Sequence, residues 1–296
     1  MNAQCDWDIA GIGAVAVDDL LEVASYPQEN SKTRILSRSR RLGGLTGRAV
    51  MTAARLGARC AFAGILGVDA DSRFIRDIFA AEGISAAAIL HDADAFPARG
   101  TIIISRDHAL RTVFSQLGSA GTSRLSAVPH ARVLLIDHHC PLHLQDLIEA
   151  ARGQGTQVVA DLERDGEQTR MVESIADHLI VPIDYARQRT HEVDPRRATH
   201  ALWRLQRRVV AVTDGEQGTW FSTNGEVLHL PALTVHAIET NGCGDVFHGA
   251  YAWSLLRSRD IVHSLRTAGS VAALKAGTIG LPGAESLRGM FQRAPI

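Results

Sequence analysis

Two kinds of apolar pattern run along the chain. Residues 8–17 (DIAGIGAVAV) and 59–66 (RCAFAGIL) are almost continuously apolar, which predicts buried strands, the first ending in a glycine-containing turn. Residues 19–26 and 33–41 alternate apolar and polar positions, as strands exposed on one face do, with a polar turn at 27–31 between them. Gly43-Gly44 opens a helix over 46–56 that Gly57 closes. Residues 71–82 form an amphipathic helix ended by Gly83. Residues 99–106 and 111–116 read as a hairpin around Asp107-His108.

Beyond that hairpin the chain becomes regular. Strand-like runs at 132–136, 157–161, 178–181 and 208–213 alternate with helical stretches such as 142–152 and 196–206. This alternation predicts an α/β fold with a parallel sheet covered by helices on both faces. A second hairpin over 217–230 turns at Asn224-Gly225, and two helices, 244–257 and 260–276, finish the chain. Residues 1–14, 43–97 and 118–296 supply the α/β body. The separate pieces 15–42 and 98–117 do not fit a parallel sheet and are expected to pair into a small second one. Such a sheet would cover a cleft or meet a second copy of itself, because its edges and apolar face need partners.

Composition narrows the function. At 296 residues, with 46% apolar and 21% charged positions, the chain can bury a sizeable core. A net charge of −1 gives no global field to draw nucleic acid or acidic membranes. The basic run Arg34 to Arg41 reads as a solvated face. Cys5, Cys60, Cys140 and Cys243 are scattered, so neither a zinc site nor a disulfide framework is signalled, and reduced thiols in a cytoplasmic protein are expected. The N-terminus has no basic region followed by an apolar run, and no apolar run approaches the ~20 residues of a membrane span.

The chemistry concentrates in residues 239–250, Glu-Thr-Asn-Gly-Cys-Gly-Asp-Val-Phe-His-Gly-Ala. Glycines at a helix start let backbone N–H groups converge on an anion. Asp245 follows at once and can take a proton from a hydroxyl. The pairing points to phosphoryl transfer from a nucleotide to an alcohol. The bland alternative is a tight turn into a packed helix, with Asp245 serving the helix dipole. Gly11 and Gly13 lack the third glycine of a dinucleotide fingerprint. In Asp137-His138-His139, adjacent strand residues would face opposite ways, so the two histidines should not share a metal, although they would border a cleft at the sheet's carboxyl edge.

These residues resemble the ribokinase-like (PfkB) carbohydrate kinase family. Its late signature D-T-x-G-A-G-D-x-F-x-G-A matches 239–250 with two changes, Glu239 for Asp and Cys243 for Ala. Gly43-Gly44, Leu56-Gly57-Ala58 and residues 63–69 (AGILGVD) resemble its early pattern. The resemblance implies a ribokinase-like three-layer α/β/α body, a mostly parallel central sheet and a small β-sheet lid. It implies Asp245 as catalytic base, with the backbone N–H groups of Gly242, Cys243 and Gly244 as anion hole. Asp18, Gly43, Gly44, Arg48 and Arg111 would bind substrate, with Asp19 competing with Asp18 for the role. The family's asparagines after the paired glycines are replaced by Leu45 and Arg48, so Arg48 either meets an anionic substituent or points to solvent. Thr213, Gly215 and Gly218 resemble the nucleotide loop, and Ala273 and Gly277 belong to a stretch resembling the adenine shelf.

The family's N-x-x-E motif is absent; residues 181–186 read VPIDYA, with Asp184 in its place. ATP and magnesium are the cofactors implied, the metal ligands staying unassigned. Within the family, residues 26–32 look most like ketohexokinase, and 244–250 with 271–275 most like sulfofructose kinase. The expected activity is an ATP-dependent kinase acting on a hydroxyl of a ketose or sugar derivative, working as a homodimer through the lid sheet. The alternatives are a nucleoside kinase or a non-catalytic nucleotide- or sugar-binding sensor.

Overall fold

The computed structural model describes residues 5–107, 110–258 and 260–292. His108, half of the expected hairpin turn, lies outside the described residues. The chain runs β1 (Trp7–Ile12), β2 (Ala16–Val23), β3 (Ile35–Gly43), α1 (Leu45–Arg55), β4 (Cys60–Leu66), α2 (Ala70–Ala81), β5 (Ser85–His91), β6 (Ala98–Ser105) and β7 (Leu110–Gln116). It continues through β8 (Ala131–Asp137), α3 (Gln145–Gly153), β9 (Gln157–Asp161), α4 (Glu167–Ile175), β10 (His178–Pro182), α5 (Ile183–Thr190), α6 (Pro195–Leu202) and β11 (Val209–Thr213). The hairpin β12 (Thr219–Ser222) and β13 (Val227–Leu230) precedes α7 (Cys243–Ser258), α8 (Ile261–Ala276) and α9 (Ala284–Gln292).

Nine strands form the central sheet in the order β13-β12-β11-β10-β9-β8-β1-β4-β5, all running one way except β12, which pairs antiparallel with β11 and β13. Alternation along its strands sorts the core into two layers. Ile9 of β1 packs with Val50, Phe62, Phe247, Tyr251 and Leu265 under α1, α7 and α8. Ala10 and Ile12 turn the other way, toward Ile148, Val172, Tyr185 and Ala198 of α3 to α6. The ribokinase-like α/β/α body is therefore present, with a separate four-stranded sheet, β3-β2-β6-β7, beside it.

The continuous apolar run 8–17 is two strands. β1 ends at Ile12, and β2 begins at Ala16 in the second sheet. Val17 and Leu20 are buried there as fully as β1 is in the first, so hydrophobicity does not mark the change of sheet. The break sits at Gly13, where a side chain would run into Thr46 Oγ1 at 2.4 Å and Asp137 Oδ2 at 2.5 Å. β5, α4, α5 and α9 carry no pattern read above. β5 is an edge strand with no buried residue, so neither alternation nor a continuous apolar run marks it. The basic run 34–41 is more than a solvated face. Arg40 pairs with Asp19 and Asp71, and Arg41 with Glu239.

Candidate active site

Asp137 fixes the frame. It ends β8 fully buried and accepts hydrogen bonds from Ala14 N (2.7 Å), Thr46 N (3.3 Å), Thr46 Oγ1 (2.7 Å) and His139 N (2.7 Å). One carboxylate thus ties the β1–β2 turn, the start of α1 and the end of β8 together. Gly44 caps α1 at φ 85°, and a Cβ there would lie 2.5 Å from Ala14 O, so only glycine fits. Gly43 and Gly100 flank Asp18, which stands opposite both Arg41 and Gly100 in the second sheet. A Cβ at Gly43 would meet the Asp18 carboxyl at 2.6 Å, and one at Gly100 would meet Asp18 Oδ1 at 2.4 Å. The missing side chains make the slot in which Asp18 sits.

Arg48, on the first turn of α1, joins the two aspartates that carry the expected chemistry. Its Nη1 donates to Asp245 Oδ2 at 3.0 Å, its Nη2 pairs with Asp18 Oδ2, and its Nε donates to Leu42 O at 3.3 Å. The guanidinium is buried and does not point to solvent. Burial raises the carboxyl pKa of both aspartates, and Arg48 pulls each back down. Asp19 faces the other side of β2, toward Arg38 and Arg40, which separates the two neighbours.

Gly242 adopts φ 84° ahead of α7, and open space surrounds the place a Gly244 side chain would take. N–H groups in the first turn of α7 have no acceptor within the helix and are free for an anion. Two are already engaged: Cys243 N–H turns back to Thr240 O at 3.3 Å, and Val246 N–H donates to Gly242 O at 3.0 Å. Arg111 reaches across from β7 and donates to Thr240 Oγ1 at 3.1 Å, so the second sheet touches the approach to this turn. Glu163, just past β9, is exposed on its outer side but crowded by protein on the others. Crowding first and the charge of Asp245 second push its carboxyl up to about 7.

The residues expected on the nucleotide side make their own local contacts. Thr213 ends β11 with Oγ1 at 3.4 Å from Val181 O. Gly215 (φ 52°) faces open space, whereas Gly218 (φ 92°) is required by packing, since a Cβ would fall 2.1 Å from Leu230 O. No hydrogen bond or ion pair joins Thr213, Gly215 or Gly218 to the Asp18–Arg48–Asp245 group among the described residues. Ala273 lies on α8, and Gly277 caps it. This end of α8 is stitched to the run entering the glycine turn, with Ile238 N and Glu239 N donating to Ala276 O at 2.7 and 3.1 Å.

Lys275 drives the same junction. Its ammonium is buried and donates to Glu239 O at 2.8 Å and Thr278 O at 3.3 Å. The Glu239 carboxylate also takes Gly280 N at 2.9 Å and Arg41 Nη1 at 3.2 Å. A cavity of about 360 Å³ opens beside this junction, lined by Arg48, Glu239, Asn241 and Lys275 among others, but not by Asp18 or Asp245. A signal for Lys275 was present: the chain has only two lysines, and this one follows a small-residue helix. Asp137 and Asp161 were marked too, each a carboxylate ending an apolar strand at the sheet's carboxyl edge.

Among the described residues no three His, Cys, Asp or Glu side chains are grouped to hold a metal ion. Asp184 is 93% exposed and leans only on Arg187. His138 and His139 sit in the turn after β8, with ring centroids 4.4 Å apart, so they do not face opposite ways as strand neighbours would. His138 is buried with neither ring nitrogen bonded, and burial drops its pKa to about 4.

A sequence profile described as pfkB family carbohydrate kinase matches residues 9–284. The bifunctional protein HldE of Nitrobacter hamburgensis is 28% identical over 80% of this chain, which spans 53% of that protein, about half its length. A ribokinase of Staphylococcus aureus is 24% identical over 84% of this chain and 86% of its own. A nucleoside kinase of Methanothermobacter thermautotrophicus is 22% identical over 90% of this chain and 89% of its own. In fold, ribokinase from Giardia lamblia superposes with a TM-score of 0.82 at 18% identity, covering 96% of this chain and 99% of that one. Arabidopsis thaliana ribokinase complexed with ribose and ATP gives 0.79 at 17%, covering 97% and 99%. With the profile spanning nearly the whole chain, this protein belongs to the pfkB family of carbohydrate kinases, as a ribokinase-like sugar or nucleoside kinase.

Proposed function

We propose that the chain is an ATP-dependent sugar kinase that phosphorylates a hydroxyl of a ketose or sugar derivative, with Asp245 as the general base. The observation that carries this reading is the buried Asp245 carboxylate beside the open glycine turn, joined to Asp18 through Arg48. Asp18, in its glycine-walled slot, accepts hydrogen bonds from sugar hydroxyls, with the Gly43-Gly44 backbone beside it as part of the same substrate wall. Asp245 Oδ1, the oxygen not held by Arg48, takes the proton as the hydroxyl oxygen attacks phosphorus. The N–H groups of Gly242 and Gly244 receive the charge of the transferring group, and Cys243 joins them if its turn bond to Thr240 opens.

ATP, when bound, supplies the phosphoryl group, and its magnesium offsets phosphate charge. Thr213, Gly215 and the α8 end at Ala273 and Gly277 border the nucleotide. The protein ligands of the magnesium that accompanies the nucleotide stay unassigned. Arg48 is already shared by two carboxylates, which suits a neutral polyol better than an anionic sugar. The second sheet acts as a lid through Arg111 and Arg41, and its exposed Val113, Phe114 and Leu117 are the surface for a homodimer. A cytoplasmic location fits four free cysteines and the lack of a membrane-length apolar helix among the described residues.

The test is ATP consumption against neutral, phosphorylated and sulfonated ketoses and nucleosides, with Asp245→Asn as control. A neutral ketose turned over by the wild type, with turnover lower by about 10²–10⁴ in the variant, supports the reading. Preference for a nucleoside, which the Thr240-Asn241-Gly242 run would favour, replaces the sugar assignment. No turnover with any acceptor makes the protein a sensor.

A further inference from the structure

His248 lies one turn beyond Gly244 on α7, almost wholly buried. Its Nδ1 is 2.8 Å from Gly244 O and 3.2 Å from Asp161 Oδ2, and its Nε2 is 3.0 Å from Ile180 O. All three neighbours are oxygens that accept. A neutral imidazole has one N–H and one lone pair, so beside an ionised Asp161 one ring nitrogen would press its lone pair against oxygen. One added proton on the ring removes the conflict; on the Asp161 carboxyl alone it would still leave a lone pair facing Gly244 O or Ile180 O. Asp161 needs it as much. It is buried at the end of β9, and His248 is its one polar side-chain partner among the described residues. Burial acts on both groups, raising Asp161 and lowering His248, while the carbonyls around the ring favour its protonated form. The titratable groups facing the ring are Asp161 from β9 and Asp245 from its own helix, and Asp161 in turn faces Glu163 past β9, Asp245 and Asp137 at the end of β8; β10 offers the Ile180 carbonyl.

We propose that His248 and Asp161 hold one buried proton between them and act as a positioning pair for the phosphoryl-transfer turn. The proposal rests on the kinase reading above. The route is short and covalent. Gly244 C=O and Asp245 N–H belong to one planar trans peptide, so they point in opposite directions. Gripping the carbonyl from below therefore aims the Asp245 N–H out of the helix toward the transferring group. The same grip fixes the first turn of α7 against the ends of β9 and β10, and with it the Asp245 carboxylate. A positive charge on the ring also favours ionised Asp245.

The experiment joins ring ¹⁵N NMR of the histidine-labelled full chain with kinetics of His248→Phe, Asp161→Asn and the double variant. Both His248 ring nitrogens should give proton-bearing signals, or one proton exchanging with Asp161, across the active pH range. His248→Phe and Asp161→Asn should each lower kcat about 30-fold, with KM for both substrates within about twofold. The double variant should be no worse than the worse single, because the pair acts as a unit. The acid limb of kcat should move to higher pH in His248→Phe, which a purely structural loss would not produce. A ring with one persistent unprotonated nitrogen and no shared proton overturns the proposal, as does an unchanged kcat in folded His248→Phe. If His248→Phe does not fold, the wild-type NMR and Asp161→Asn decide in the same two ways. The NMR result does not depend on phosphoryl transfer, so a wild type with no turnover on any acceptor would sink the kinase reading alone, and an active Asp245→Asn would sink only the assignment of Asp245 as base.

Discussion

Arg48 and Asp245, 197 residues apart in sequence, meet at 3.0 Å in the buried floor of the site. The same guanidinium holds Asp18, so one cation serves two buried carboxylates. A base works when ionised. Burial raises Asp245's pKa and Arg48 lowers it, so removing the guanidinium raises it further. In Arg48→Met the acid limb of kcat/KM should move to higher pH, with activity at neutral pH down about 100-fold and partly recovered under alkaline conditions. Arg48→Lys should fall between, since a point charge cannot span both carboxylates. A pH–rate profile of the three proteins checks this; an unshifted acid limb in Arg48→Met would mean Asp245 is not the titrating base.

Lys275 should be essential for stability. Its ammonium sits among the Glu239 carbonyl, the Thr278 carbonyl and the Glu239 carboxylate, with almost no exposure. Lys275→Met leaves that carboxylate with Arg41 alone as counter-charge and the Glu239 and Thr278 carbonyls without their donor, and should cost about 2–3 kcal/mol in urea unfolding. Lys275→Arg should not restore it, because a planar fork does not fit where a compact ammonium does. Wild-type unfolding midpoints in either variant would show the junction to be incidental.

Much of this was legible before folding, and the illegible part has a common cause. Glycine punctuation and apolar runs placed α1, α2, β4, β8 to β11 and both closing helices, because those signals are local. The change of sheet after β1 was hidden, since Ala16 and Val17 continue the apolar run while pairing elsewhere. Residues 239–250 declared the glycine turn and its aspartate. Arg48 did not declare its role, because its partners lie 30 and 197 residues away. The pairing of His248 with Asp161 was equally silent: nothing in a single sequence shows that β9 ends beside one particular turn of α7.

Gly249 marks a place where backbone approach, rather than chemistry, requires glycine. A Cβ there would lie 2.2 Å from Ala49 O and 2.9 Å from Thr52 Cβ, so α1 and α7 cross at contact distance. Gly249→Ala forces the helices apart, which should cost about 2–3 kcal/mol. Because α1 carries Arg48 and α7 carries Asp245, kcat should fall as well. Paired measurements of the unfolding midpoint and kcat test both effects; a variant as stable as the wild type would show that the crossing can relax.

His178 is the opposite case to His248, and its neutral ring contributes to how stability changes on acidification. Its ring is fully buried between Tyr251 Oη, 2.8 Å from Nδ1, and Gln157 Oε1, 3.1 Å from Nε2. A neutral ring satisfies both, accepting from the tyrosine and donating to the amide. Burial lowers its pKa to about 4 from the ordinary 6.5. Between those values the unfolded chain binds a proton that the folded chain refuses, so stability falls as pH drops from about 6.5 toward 4. The shift of roughly 2.5 units corresponds to about 3 kcal/mol at the acid end. His138, also held near 4, acts in the same window and direction. Glu163, pushed up to about 7, and the raised Asp161, Asp18 and Asp245 act the opposite way over the same range, so the His178 share is read as the difference between wild type and His178→Phe in urea unfolding from pH 7.5 to 4.5. In His178→Phe the protein should start less stable at pH 7.5, having lost two hydrogen bonds, but lose less on acidification. A His178→Phe curve parallel to the wild type would mean that His178 takes up its proton without unfolding the chain.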